Sequence, residues 1–301
     1  MVTAVNAFSL VPFARFVVLG VLALGLMACQ TLRELELQST RLVFSPQQEA
    51  ELGMAFAEQI EEDLELVDDP VVQAWIDDVG YTLVEHSPPT AQEFTFRVVN
   101  SDQVNAFAIP GGFCYVNSGL IKLAENEAEV VAVIGHEINH VTTRHGIRSL
   151  QRAMGLDLAA QAVGGDAGTR QAVELVQAAG GMVAMRSFGR EDEREADRLG
   201  VEAMYRAGWD PRAAATFFEK LRAGEQAAGA SDNPFTQILS THPTTAERIR
   251  NIREQVDGYD LTVPLRKDSE EFQEVKARLA ELAPPSPEAE EAMEEVMTEE
   301  D

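Results

Sequence analysis

Two cysteines in 301 residues cannot build a disulfide scaffold, so the fold has to rest on a packed core. Basic residues are also scarce. Only 24 Lys and Arg stand against 50 Asp and Glu, a formal charge of −26. A surface of that sign repels phosphate, which excludes nucleic-acid binding and argues against basic attachment to anionic lipid. Long apolar runs are missing after residue 28: nothing there approaches the roughly 18 residues of a spanning helix. No internal repeat occurs, so a helical-repeat array is excluded. The rest is ordinary for a globular chain, with 45% hydrophobic and 25% charged residues, enough for one large domain or two small ones.

Within 8–28 the lone charge Arg15 precedes the run Phe16-Val-Val-Leu-Gly-Val-Leu-Ala-Leu-Gly-Leu-Met-Ala28. A membrane span needs about 20 apolar residues, and this shorter run suits a signal-peptide core. It ends at Leu26-Met-Ala-Cys29, which resembles the lipobox of bacterial lipoproteins, where the cysteine is acylated and becomes the first residue. On that resemblance 1–28 is a signal peptide, Cys29 the lipidation site and 29–44 a tether. Multiple acyl chains would hold the protein on a membrane. Gln30, in place of Asp, resembles lipoproteins sent to the outer membrane, which implies a periplasmic location on a lipid anchor. Cys114 would then be an unpaired thiol in an oxidising compartment and is expected to be buried. At the other end, Asp268 to Asp301 is dense in Asp and Glu against only Lys276 and Arg278. Residues 284–301, opening on Pro284-Pro-Ser-Pro287, read as a disordered acidic tail, and 259–283 as a helical extension.

Between these ends the pattern is helical around a small sheet. Ser45-Pro46-Gln47-Gln48 is a capping box that opens a helix to about Leu66. Asp69-Pro70 opens a second, with Val72, Trp75, Ile76, Val79 and Leu83 on one stripe. The period then becomes two: Phe94, Phe96 and Val98 alternate with polar neighbours, Asn105–Ile109 is short and apolar, and Phe113–Asn117 follows Pro110-Gly-Gly112. Helical periodicity resumes at Asn126. Two helices, three short strands and further helices predict an α+β, mainly helical domain over 45–258.

Asn126-x-x-Glu129 is a cap for the helix that carries His136-Glu137-Ile138-Asn139-His140. Four residues at 100° each bring both imidazoles to one face, one turn apart, where two nitrogens can reach one Zn²⁺. Glu137 projects beside them, placed to take a proton from zinc-activated water without ligating. Gly135 leaves the helix bare just before the site, open to a close neighbouring backbone. The metzincin pattern is excluded, because Thr143 and Gly146 stand where it needs Gly and His. His145 is rotated well off the face of His140, so it is expected at the surface or behind a ligand. A catalytic zinc needs a third protein ligand. Downstream, Glu193 and Asp197 lie one helical turn apart, but composition alone does not choose among Glu191, Asp192, Glu193 and Glu195.

Resemblance makes that choice. Asn105-Ala-Phe-Ala-Ile-Pro-Gly-Gly112, Ser118-Gly-Leu120, His136-Glu-Ile-Asn-His140 and Glu193-x-x-Ala-Asp197 together resemble the HtpX/BepA/Ste-type family of gluzincin metallopeptidases. Gly208-Trp-Asp-Pro-Arg, Phe217-Phe-Glu-Lys220 and Leu239-Ser-Thr-His-Pro243 with Arg248-Ile249 extend the likeness over about 40–258, nearest to small periplasmic lipoprotein members. It implies a zincin-like metalloprotease fold and one Zn²⁺ per chain on His136, His140 and Glu193. Asp197 would hydrogen-bond a ligating imidazole, and Glu195 would stay at the surface. His242, in a turn before the box Thr244-x-x-Glu247, is implied to approach the zinc, either filling its fourth position or swinging away to stabilise an oxyanion. Arg248 is a weaker candidate for polarising the scissile carbonyl. Gluzincins bind substrate as a strand added to a sheet edge, and Asn105, Ala106, Phe107, Ala108 and Ile109 are the candidate edge. The implied function is a zinc metalloendopeptidase acting on unfolded or misassembled envelope proteins, outer-membrane proteins among them, with Glu137 as general base. The alternative is a lipoprotein chaperone or adaptor that holds such proteins around a structural zinc.

Overall fold

Ser45 opens the first helix, α1 (Pro46–Glu61), with the reciprocal cap its sequence predicts. The Gln48 N–H donates to Ser45 Oγ at 3.2 Å, and the Ser45 N–H donates to Gln48 Oε1 at 2.9 Å. The structure, a computed structural model, describes residues 44–154, 188–227, 236–243 and 245–297. The signal peptide, Cys29 and nearly all of the tether therefore lie outside the described residues. Helix α1 stops at Glu61, short of Leu66, because Leu66 is drawn into an antiparallel bridge with Val99. Asp69 caps α2 (Pro70–His86), accepting from the N–H groups of Val71 and Val72. The whole stripe Val72, Trp75, Ile76, Val79 and Leu83 is buried.

Three strands follow: β1 (Thr95–Val99), β2 (Ala106–Ile109) and β3 (Phe113–Asn117). Their order is β1-β3-β2, with β3 parallel to β1 and antiparallel to β2, so among the described residues β2 is an edge. Phe107 sits opposite Tyr115 and Ala108 opposite Cys114. The turn between β2 and β3 needs glycine. Gly112 has φ +98°, and a Cβ there would stand 2.0 Å from the Glu93 carbonyl oxygen. Cys114 is free and buried, as expected of it.

A short helix that the periodicity did not predict, α3 (Ser118–Leu123), leads into α4 (Glu127–Thr142). Asn126 is the N-cap of α4, but its side chain makes no capping hydrogen bond. The cap comes from far along the chain instead. The Glu127 N–H donates to Asp268 Oδ1 at 3.1 Å and the Ala128 N–H to the Lys267 carbonyl at 3.0 Å. The remaining helices among the described residues are α5 (His145–Met154), α6 (Arg190–Arg206), α7 (Arg212–Ala227), α8 (Thr236–Thr241), α9 (Ala246–Val256), α10 (Glu270–Glu281) and α11 (Pro287–Met297). The cap of α9 is Thr245, whose side chain accepts from the Arg248 N–H, rather than the expected Thr244, which is not among the described residues. The arrangement is α+β and mainly helical.

The C-terminal segments depart most from expectation. Residues 287–297 are helical rather than disordered: Met293 on α11 is fully buried, and Glu290 accepts from Ser101 Oγ and from the Asp102 N–H at 2.7 Å. One apolar side chain and one paired carboxylate anchor a helix on which Glu288 and Glu291 are exposed, a pattern that composition averages away. The extension before it is no appendage either. Phe272, Val275 and Leu279 of α10 enter the main core, and the Phe272 ring lies 5.4 Å from that of Trp75. Buried Glu127 ties these parts together. Its Oε1 accepts from Trp75 Nε1 and Ser269 Oγ, and its Oε2 accepts from Trp209 Nε1 and pairs with Arg266. Among the described residues no helix is long and apolar enough to cross a membrane.

Candidate metal centre

Helix α4 is buried from Glu127 to Val141, and its crossing with α6 forms the floor of the site. The crossing is close because both helices carry glycine there. A Cβ on Gly200 would stand 2.9 Å from the Gly135 carbonyl carbon and from the His136 nitrogen. The bare surface expected at Gly135 is thus occupied by the backbone at Gly200. The approach brings Glu193 and Asp197 of α6 against His136 and His140 of α4.

His136, His140, Glu193 and His242 each offer a ligand atom, all within 4.8 Å of one another, and all four are buried. His140 Nε2 lies 2.9 Å from His136 Nε2 and 3.4 Å from Glu193 Oε1. His242, in the turn after α8, places Nδ1 2.9 Å from Glu193 Oε1 and 3.2 Å from His136 Nε2, while its Nε2 is 3.3 Å from Glu137 Oε1. His136 Nδ1 is 3.0 Å from Asp197 Oδ1. Arg248 closes the far side: Nε and Nη2 each donate to Asp197 at 2.7 Å, and Nη1 reaches Glu193 Oε2 at 2.6 Å and the Pro243 carbonyl. Its guanidinium is therefore turned to the two carboxylates.

Zinc fits this donor set. Tetrahedral ligands at about 2.0–2.1 Å from zinc are separated from one another by about 3.3–3.4 Å, close to the 2.9–3.6 Å nitrogen and oxygen spacings here. With Asp197 and His145 beside their Nδ1 atoms, His136 and His140 turn two Nε2 lone pairs toward each other, an arrangement that a cation between them relieves.

The charges respond to burial and to each other. Burial pushes the Glu137 carboxyl up, against the pull of His242 and His136 and a hydrogen bond from the Ala108 N–H. Burial pushes His140 well down and so keeps it neutral. Burial opposes charge on Glu193 and His242 too, but each favours the charged form of the other: the Glu193 carboxyl lies well below its usual range and the His242 imidazole above. Burial likewise disfavours charge on Asp197, yet Arg248 holds its carboxyl low.

Two contacts had no signal in the sequence, that of Glu195 with His145 and that of Phe188 with His140. His145, expected at the surface or behind a ligand, is buried behind His140. Its Nδ1 is 2.9 Å from His140 Nδ1, and its Nε2 is 3.1 Å from Glu195 Oε2, so Glu195 is not merely a surface charge. Phe188 stacks on His140 with ring centroids 3.8 Å apart. No periodicity signals either, because both contacts join segments that the chain reaches by separate turns. The candidate strand β2 is at the sheet edge, but Ala106 to Ile109 are all buried. A cavity of about 370 Å³ beside the centre is lined by Phe188, Arg190, Glu193, Arg194, Pro243 and Arg248, among others.

Two histidines one turn apart on a buried helix, a carboxylate neighbour between them and a glutamate from a crossing helix define the metallopeptidases of the gluzincin type. The chain belongs to peptidase family M48, whose model matches residues 70–256. It is 34% identical over 251 residues to the beta-barrel assembly-enhancing protease of Escherichia coli (strain K12), covering 77% of this chain and 48% of that protein. The Metalloprotease LoiP of the same organism is 33% identical over 170 residues, 56% of this chain and 64% of that protein. The Mitochondrial metalloendopeptidase OMA1 of Arabidopsis thaliana is 34% identical over 154 residues, 50% of this chain and 29% of that protein. The chain spans about half the length of the beta-barrel assembly-enhancing proteases that it matches.

Proposed function

We propose that this chain is a zinc metalloendopeptidase in which His136, His140 and Glu193 hold the metal and Glu137 is the general base. The observation that carries the reading is the convergence of those buried donors beside a carboxylate that is not one of them. Zn²⁺, when bound there, supplies a water of depressed pKa and polarises the scissile carbonyl. Glu137 takes the proton of that water, helped by a burial that raises its basicity. Burial lets the carboxyl keep that proton until it is returned to the leaving amine, while the Ala108 N–H holds the side chain in place. Asp197 orients His136 through Nδ1, and Arg248 fixes Asp197 and Glu193. That makes Arg248 a positioning residue rather than a donor to substrate.

His242 faces both Glu193 and Glu137, so in this arrangement it is the fourth donor and holds the enzyme latent. Swung away, it frees the fourth position and brings an imidazole to the developing oxyanion. Substrate adds as an extended strand along β2 once that buried edge is opened, which selects unfolded polypeptide. The likeness to a beta-barrel assembly-enhancing protease supports misassembled outer-membrane proteins as substrates, while the lipobox-like Leu26-Met-Ala-Cys29 supports a periplasmic location with Cys29 as lipid anchor.

Zinc content and cleavage of unfolded casein test the reading in wild type, Glu137→Gln and His242→Ala. One zinc per chain throughout is expected, with cleavage lost in Glu137→Gln and raised in His242→Ala. Cleavage retained by Glu137→Gln removes it as the base, and zinc without cleavage in wild type or His242→Ala favours a holding role.

A further inference from the structure

Behind His140, away from the donor cluster, a second set of side chains makes contacts that the proposed chemistry does not use. His140 Nε2 faces His136 and Glu193, which leaves Nδ1 as the other nitrogen of a buried ring. His145 Nδ1 is 2.9 Å away. A neutral imidazole that offers Nε2 to a metal carries its proton on Nδ1, so His140 is the donor in this contact and His145 the acceptor. The proton of His145 then sits on Nε2, 3.1 Å from Glu195 Oε2. Each ring has one tautomer that satisfies both of its neighbours, and the two tautomers require each other. The two metal-facing imidazoles are thus backed differently: His136 by a carboxylate, His140 by a second imidazole and then a carboxylate.

Backbone geometry makes this contact. On one unbroken helix, five residues at 100° each would turn His145 about 140° away from His140. The chain instead breaks at Arg144, whose φ of +57° lies in the left-handed region that side chains rarely adopt. That bend ends α4, starts α5 and returns His145 beneath His140. Arg144 is tied down by Glu49 and by the Phe44 carbonyl at 2.7 Å, both near the start of α1. The His145 side chain is fully excluded from solvent, so a failed hydrogen bond there could not be replaced by bulk water.

We infer that His145 is a positioning residue of the metal centre: by accepting from His140 Nδ1, with Glu195 holding its far nitrogen, it fixes the tautomer and ring angle with which His140 meets zinc. This rests on the zinc-site reading above, with His140 as a ligand.

The test is zinc affinity, measured on the full chain by competition with a chelating indicator, alongside melting of the zinc-free forms. His145→Leu removes the acceptor and is expected to weaken zinc about 10- to 100-fold. His145→Asn can set Oδ1 where Nδ1 was and is expected to recover most of that loss. A structural role alone would lower the zinc-free melting temperature without this split between Leu and Asn. Wild-type zinc affinity in His145→Leu overturns the inference, as does equal loss in Leu and Asn. Should His145→Leu not fold, Glu195→Ala, at a half-exposed carboxylate, decides: weaker zinc supports the assignment and unchanged zinc overturns it. A wild-type chain that takes up no zinc would sink the site reading itself, a result separable from the others.

Discussion

Replacing Gly200 by alanine puts one methyl group where α4 and α6 cross, and the consequence should reach the metal. The added Cβ would sit 2.9 Å from the Gly135 carbonyl carbon and from the His136 nitrogen, against the 3.4 Å at which ordinary contact begins. These are backbone atoms of a buried helix, so no side chain can swing aside, and the helices must part by about 0.5 Å. Metal sites tolerate about 0.2 Å, and Glu193 stands on one of these helices while His136 and His140 stand on the other. Gly135→Ala is the control. Its Cβ would meet the Gly200 carbonyl oxygen at 3.3 Å, which a small adjustment relieves. Both changes gain about 1 kcal/mol of helix propensity, so their difference isolates the clash. Gly200→Ala should be less stable than Gly135→Ala by about 2 kcal/mol, or about 4–8 °C in zinc-free melting. It should also bind zinc more weakly by tenfold or more, on the scale seen when ligand placement is disturbed. Equal melting and equal zinc affinity in the two variants would refute the claim that this crossing sets the ligand spacing.

Other contacts in the structure have equally measurable consequences. Glu127→Ala strands two buried indole N–H groups and should cost about 3–5 kcal/mol in urea unfolding; a loss under 1 kcal/mol would show that the node is dispensable. Arg248→Ala leaves Asp197 and Glu193 as buried carboxylates without their cation, and zinc should bind about 10- to 100-fold more weakly, read by chelator competition; unchanged affinity would leave Arg248 without a positioning role. Cys114 is buried, and burial pushes its thiol well up. In a Cys29→Ser chain a thiol reagent should therefore label it only after unfolding, and fast labelling of the native protein would contradict the burial.

The residue pattern was enough to place the chemistry on a helix and to order the elements around it. A capping box, two Asx- or Ser-Pro starts, one change of period from 3.6 to 2 and a turn with two glycines are local signals, and the chain obeys them at α1, α2 and the three strands. Two histidines four apart on an apolar helix are likewise a local fact, decided by 100° per residue. Local rules failed where a partner lay far along the chain. Asn126 reads as a cap, yet Lys267 and Asp268 supply the bonds. Residues 287–297 read as disordered, yet they dock through Met293 and Glu290. The sequence by itself determined the fold class, the helix that carries both histidines and the carboxylate beside them, because each depends on spacing within one element. Only the tertiary structure decided that His145 and Glu195 stand behind His140, that Arg248 faces carboxylates and that His242 closes the donor set. Those contacts depend on how two glycines let α4 and α6 meet and on how one left-handed residue turns the chain, and neither leaves a period to read.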